Sequence, residues 1–303
     1  MSAGSPSSDA LSRFVFERAA VRGAFVRLDD TSRAILACHP YPPALARIIA
    51  ELAAAAALLA ATLKFDGSLI VQLSGDGPVR LLVVECDGEL NLRATAQWSE
   101  VARLLPADAP LATLAGGPAH GRLAIMLDPK GAGQIYQGIV ALQATSVSTL
   151  IEHYLSTSEQ IESRLVLATS GGAARGLLVQ RMPGATAGDD QAWRRASDGA
   201  TALDDAALFG APDTAALLQQ AFASDDVRLF RPRSARFACS CNAQRVANAL
   251  RLIGRDEVES ILAEQGTVGV TCEFCNRHYA LDAAQARALF DGAAAADSAP
   301  TRH

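Results

Sequence analysis

An α+β fold is predicted for this chain of 303 residues by three observations. Its short β-like runs are joined by hairpin turns rather than helical crossovers, which predicts an N-terminal, mainly antiparallel sheet with helices. An acidic, alanine-rich stretch with helical signals follows and carries little apolar content of its own. The last segment is bracketed by two closely spaced cysteine pairs, which mark a small C-terminal unit. A single core stops growing at about 250–300 residues, so two domains are expected. Half of the residues are hydrophobic, enough for a sizeable core, and 19% are charged.

The first unit is placed at residues 11–183. "YPPALARIIAELAAAAALLAATLK", residues 41–64, reads as a helix. Pro42 and Pro43 suit its first turn, and the alanines and leucines that follow are strong helix formers. Residues 67–98 hold three strand-like runs, split by Gly75-Asp76-Gly77-Pro78 and by Asp87-Gly88. Both splits are turn signals. "GRLAIMLD" and "YQGIVAL" predict two more strands, "VSTLIEHYLS" a helix, and "SRLVLAT" and "GLLVQRM" a further strand pair.

Residues 184–235 form the predicted acidic helical linker. Between residues 184 and 230 eight Asp face three Arg, a net charge of −5 that equals that of the whole chain. "LDDAALFG" and "DTAALLQQAFA" are weakly amphipathic helices, too thin to hold a core alone, so the segment is expected to fold only against another surface. Leu208, Phe209, Leu217, Leu218 and Phe222 are its candidates for covering such a face. The C-terminal unit, residues 236–290, reads as two helices ("NAQRVANALRLIG", "GRDEVESILAEQG"), a cysteine hairpin and a last helix, "LDAAQARALF". Residues 291–303 are expected to be a disordered tail.

Charge and targeting signals narrow the function classes. A net charge of −5 argues against a nucleic-acid partner, which requires a basic face to neutralise phosphates. The N-terminus is small and polar, without the cationic start and apolar stretch of a signal peptide. The most apolar run, Leu52–Leu63, spans 12 residues against the roughly 20 that cross a bilayer. A cytoplasmic protein without a membrane partner is therefore expected, and there thiols are kept reduced.

Four of the six cysteines carry the sharpest pattern: Cys239 and Cys241 in "FACSCNAQRV", then Cys272 and Cys275 in "VTCEFCNRHY". Three chemistries are open to them: a metal cage, a pair of disulfides, and a redox-active dithiol. Structural zinc takes four ligands in a tetrahedron with sulfurs about 2.3 Å away, and two pairs presented from tight turns meet that need. His278 is a fifth candidate ligand, in a C-x-x-C-x-x-H spacing. A nucleic-acid-binding zinc finger is disfavoured, because residues 239–282 carry four Arg against six acidic residues. A thioredoxin-like oxidoreductase would place its C-x-x-C at a strand–helix junction, whereas here it lies on a hairpin after two helices. A unit of about 50 residues is near the size that requires a metal or disulfides to fold. Closing Cys239 on Cys241 and Cys272 on Cys275 would remove every ligand at once, so the site lends itself to switching.

Together with "FERAAVRG", "LLAATLKFDGSLIVQLSGDGP", "YQGIVAL", "SEQIESRLVLAT" and "VESILAEQGTVGVTCEFCNRHY", these pairs span nearly the whole chain. On these segments the sequence resembles the bacterial redox-regulated holdase chaperones of the heat-shock protein thirty-three family. The resemblance implies a substrate-binding domain at 11–183, a metastable linker at 184–235, and a zinc-binding redox-switch domain at 236–290. It implies that Cys239, Cys241, Cys272 and Cys275 hold one Zn2+ in a reduced, inactive, monomeric form. Peroxide with heat, or hypochlorite, would then form the Cys239–Cys241 and Cys272–Cys275 disulfides, release zinc and unfold the linker. The apolar surface so exposed would bind unfolded or oxidatively damaged client proteins without ATP, as a homodimer. Such a protein is not an enzyme; a thiol–disulfide oxidoreductase is the alternative. The linker departs from the family in being unusually rich in alanine.

The remaining polar residues carry less. Cys38 and Cys86 fall outside the zinc pattern and read as packed thiols. Gly75, Gly77 and Pro78 lack the Lys-Ser or Lys-Thr of a phosphate loop and read as a hairpin turn. His39, His120 and His153 are scattered, with no nucleophile signature near them.

Overall fold

A computed structural model describes residues 9–62, 67–131, 133–143 and 146–291. The expected helix end at Leu63 and Lys64, and the tail beyond Asp291, lie outside the described residues. The chain divides into two units, one running to Ala238 and the other from Cys239 onward. The division falls three residues past the linker end expected at 235.

The first unit begins with two antiparallel strands, β1 (Ala10–Phe16) and β2 (Val21–Leu28), followed by helices α1 (Asp30–Leu36) and α2 (Pro43–Thr62). Strands β3 (Gly67–Ser74), β4 (Val79–Asp87) and β5 (Asn91–Trp98) form a meander, then come α3 (Leu111–Ala115), β6 (Arg122–Pro129), β7 (Tyr136–Ala141) and α4 (Val147–Thr157). A hairpin of β8 (Ser163–Ser170) and β9 (Ala173–Arg181) closes this part. Each strand predicted between residues 67 and 182 is present, and these strands pair with one another antiparallel. At the first turn, Cβ atoms on Gly75 and Gly77 would meet the Ala115 and Leu114 carbonyl oxygens at 1.9 and 2.4 Å. The turn is glycine-rich because it is pressed against α3, not because it cradles a phosphate.

Two sheets result. One runs β8-β9-β2-β1 and is extended along the free edge of β1; the other runs β7-β6-β3-β4-β5. Helix α2 packs on strands of both. Apart from the Arg47–Glu51 ion pair in its first half it is apolar, and it is buried over most of its circumference between Ala44 and Ala61. Its length and composition would suffice to cross a membrane, yet 83% of its most apolar window is buried inside this protein. Alanine is the reason both sheets approach it closely: Leu58, Leu69, Leu82, Val26 and Leu178 interlock around the small side chains in one continuous core.

The segment expected to be a linker is folded onto the other face of the first sheet. It contains α5 (Asp190–Thr201), α6 (Asp205–Gly210) and α7 (Thr214–Ala221), the last two capped by the Asp204 and Asp213 carboxylates. Ala196, Ala200, Leu208, Leu217, Leu218 and Phe222 are buried there against Phe14, Phe16, Phe25, Leu177 and Val179. The core that these thin helices lack is supplied by the sheet. The chain then runs through β10 (Val227–Leu229) and β11 (Arg233–Ser234), both on β1, to β12 (Arg236–Phe237), parallel to β5.

The second unit comprises α8 (Ala243–Ile253), α9 (Arg255–Gln265), the hairpin β13 (Thr267–Thr271) and β14 (His278–Asp282), and α10 (Ala283–Asp291). Its core is small: Val246, Leu250, Val258, Leu262, Val268 and Ala286.

Candidate metal centre

The four cysteines of the predicted pattern converge. Cys272 and Cys275 sit in the loop of the β13–β14 hairpin. There the Cys272 N–H donates to the Arg277 carbonyl (2.9 Å) and the Asn276 N–H to the Cys272 carbonyl (2.8 Å). Asn276 has φ 57°, a left-handed conformation that Asn tolerates and that turns the chain back on itself. Cys239 and Cys241 lie just before α8, whose cap Asn242 accepts from the Arg245 N–H at 2.9 Å. The positive end of that helix favours a thiolate beside it.

The Cys239 and Cys272 sulfurs lie 3.6 Å apart, and those of Cys241 and Cys275 3.3 Å apart. All four Sγ atoms fall within 4.8 Å of one another. A regular tetrahedron with Zn–S of about 2.3 Å has S–S edges of about 3.8 Å, so this donor set fits a zinc ion. Among the described residues it is the one group of three or more His, Cys, Asp or Glu side chains gathered in this way. His278 stands outside the group, with Nδ1 3.1 Å from the Thr271 hydroxyl.

The thiols differ in acidity. Burial pushes Cys239 up, and it pushes Cys275 up to about 12. Burial opposes ionisation of Cys241 as well, but hydrogen bonds from Tyr279 and the neighbouring thiols outweigh it and bring Cys241 down to about 7. The Tyr279 hydroxyl donates to its sulfur at 3.2 Å. Cys241 thus ionises more readily than Cys239 or Cys275. Tyr279 escaped the sequence reading; the only trace of it there is an aromatic four residues after Cys275.

The two short sulfur contacts run between the pairs, Cys239 to Cys272 and Cys241 to Cys275, rather than within them. Closing each pair on itself would exchange cross-pair neighbours for vicinal ones and untie the hairpin from the start of α8. Of the other candidates, Cys86 is fully buried and pushed far up by desolvation, an inert thiol. The Cys38 thiol donates to the Ala34 carbonyl, and His120 lies beside Asp76 at the surface.

Known proteins resemble this chain over nearly its whole length. The family model described as Hsp33 protein matches residues 9–282. A protein named 33 kDa chaperonin from Methylobacillus flagellatus is 40% identical over 93% of this chain and 94% of its own. Another of that name, from Chromobacterium violaceum, is 40% identical over 97% of this chain and 98% of its own. The crystal structure of the 33 kDa chaperonin (heat shock protein 33 homolog) from Thermotoga maritima superposes with a TM-score of 0.78. It covers 94% of this chain and 99% of its own at 20% identity, a likeness of fold. The chain belongs to the Hsp33 protein family.

Proposed function

We propose that this protein is a redox-regulated, ATP-independent chaperone of the holdase type, which binds unfolded or oxidatively damaged proteins and prevents their aggregation. The observation that carries the reading is the convergence of two short-spaced cysteine pairs in a unit whose own core is too small to be stable alone. In the reduced form Cys239, Cys241, Cys272 and Cys275 hold one Zn2+, which supplies the cross-link that fixes the unit. Tyr279 steadies the Cys241 thiolate. Occupancy and folding are then one equilibrium.

Oxidation proceeds on the chain's own thiols. In each pair a thiolate attacks the O–O bond of a peroxide, giving a sulfenic acid and releasing hydroxide. The neighbouring thiol displaces the sulfenic oxygen as water and the disulfide closes. Two peroxides give the Cys239–Cys241 and Cys272–Cys275 disulfides, and no thiolate is left to hold a metal. Each loop closed is short, so the bridges replace little of the lost cross-link. The second unit loosens, and with it residues 184–235, whose helices cover the apolar sheet face of Phe14, Phe16 and Phe25. That face takes clients, with the oxidised protein acting as a cytoplasmic homodimer and the reduced one as a monomer.

The test follows zinc release with a chromogenic chelator during warm peroxide treatment. In parallel, light scattering of a heat-unfolding client is recorded with reduced and oxidised protein. Zinc loss and suppression of scattering should rise together. An oxidised protein that has lost zinc and never suppresses scattering would refute the reading. Catalytic turnover of a dithiol substrate would favour the oxidoreductase instead.

A further inference from the structure

Residues 227–237 lie along the outer edges of both sheets, yet they are not built like strands of either. Their ladders are three residues long in β10 and two in each of β11 and β12, with Pro232 between the first two. Further backbone bonds continue these ladders. Phe230 N–H donates to the Arg13 carbonyl (2.9 Å), Ala235 N–H to Asp9 (3.1 Å), Arg236 N–H to Leu90 (3.1 Å) and Ala238 N–H to Leu92 (3.0 Å). Ala235 is the buried side chain of the strap, at 1% exposure, while Phe237 packs half-buried on the central core. Leu229 and Phe230 are exposed. Such a segment opens at low cost, because little apolar area holds it. Ala238 alone separates it from Cys239, the first cysteine of the metal centre.

The edges beneath it are another matter. Without the strap, β1 and β5 present rows of unpaired N–H and C=O groups, the template on which a further strand is added. Receptors for side chains lie beside them. A cavity of about 220 Å³ next to Phe230 is walled in part by Phe14, Ala24, Ala61 and Leu178. Glu17 pairs with Arg228 at 3.0 Å, Asn91 accepts from Arg236 at 2.6 Å, and the Gly88 carbonyl accepts from Arg233.

We infer that residues 227–237 are a resident placeholder. Once they leave, the β1 and β5 edges bind an extended segment of an unfolded client in which apolar residues are interleaved with basic ones. This inference rests on the chaperone reading and names the chemistry of its partner. Backbone pairing gives the sequence tolerance that a holdase needs. The small site at Ala235, the aromatic sites at Phe230 and Phe237, and the acceptors for Arg228, Arg233 and Arg236 give the preference. In the reduced protein the strap, tethered in cis, outcompetes clients through its effective concentration, about millimolar for short linkers.

The test uses a fluorescent peptide with the sequence of residues 226–238 and the full-length chain. Anisotropy should show at least tenfold tighter binding to the peroxide-oxidised than to the reduced, zinc-loaded protein. N-methylation at the positions of Phe230 and Ala235 removes two of the backbone donors and should weaken binding at least tenfold. In the chain itself, Val15→Cys with Arg228→Cys, directly opposed in the β1–β10 ladder, pins the strap. That variant should release zinc on oxidation like the parent, yet bind no peptide and lose client protection. The inference is overturned if the N-methylated peptide binds as tightly as the unmodified one, or if the pinned variant protects clients as well as the parent. Peptide binding that splits an oxidised dimer into monomers overturns it too, by assigning the edges to the strap of a second copy. A parent chain that never protects a client overturns the chaperone reading itself; parent and pinned chains then behave alike.

Discussion

The two faces of the β8-β9-β2-β1 sheet are covered in different ways. On the inner face lies α2, twenty residues long and buried from Ala44 to Ala61. On the outer face α5 buries Ala196 and Ala200, α6 Leu208, and α7 Leu217 and Leu218. Beneath that outer layer Arg27 and Arg175 oppose each other across the β2–β9 ladder, and neither Nε finds a hydrogen-bond partner. Arg175, at 4% exposure, pairs with Asp29 at 2.8 Å and lies 4.7 Å from the Phe209 ring of α6. Two like charges and two unpaired buried donors cost stability that an apolar contact would not. One sheet thus carries a deeply buried cover and a thinner one, and the difference lies in what the covering helices contribute rather than in the sheet.

The largest effect that sharpens this contrast comes from the metal centre. Cys272→Ser should leave the second unit unfolded in reduced protein, since structural zinc contributes about 10–16 kcal/mol in units of this size. The core around α2 should keep its unfolding midpoint, as read by urea titration beside zinc calorimetry. Full zinc affinity in this variant would point to His278 as a ligand. Next in size, Leu58→Ala should lower global stability by about 2–5 kcal/mol, because Leu58 is fully buried in the central core.

Leu217→Ala removes an equally buried leucine from the outer cover and should cost about 2–3 kcal/mol there. Its expected signature is different: faster proteolysis within residues 184–235 and client protection without oxidant, at an unchanged global midpoint. If both leucine variants shift one common transition, the contrast between the covers is broken. The smallest effect is that of Tyr279→Phe, which should weaken zinc binding about 10–100-fold. Losing the hydroxyl donor should also raise the Cys241 pKa from about 7 toward the ordinary thiol range, followed by thiolate absorbance of the zinc-free, reduced chain.

Legibility in the sequence followed how locally each element is determined. The meander of β3, β4 and β5 was readable because Gly75-Asp76-Gly77-Pro78 and Asp87-Gly88 announce its turns. Helix α2 was readable from its alanines and leucines. By contrast β1 and β2 were not picked out, because both of their faces are covered: Leu11 and Val26 point to the central core and Phe14 and Phe25 to the outer one. That double burial erases the alternation that marks a strand. Helix α5 reads as polar because alanines are its buried residues, and the strap carries no strand signal because its ladders are only two or three residues long. At the metal centre the spacing of the cysteines was legible. The cross-pair sulfur contacts and the hydrogen bond from Tyr279 arise from tertiary folding and leave no local trace.

The central claim is that the outer cover and the metal centre open together while the inner cover stays shut. Hydrogen exchange followed by mass spectrometry, on reduced zinc-loaded and peroxide-oxidised protein, tests it most directly. The account predicts that oxidation strips protection from residues 190–237 and 239–282 and leaves α2, β2 and β9 protected. Unchanged protection over 190–222 in a protein that has lost its zinc would contradict it.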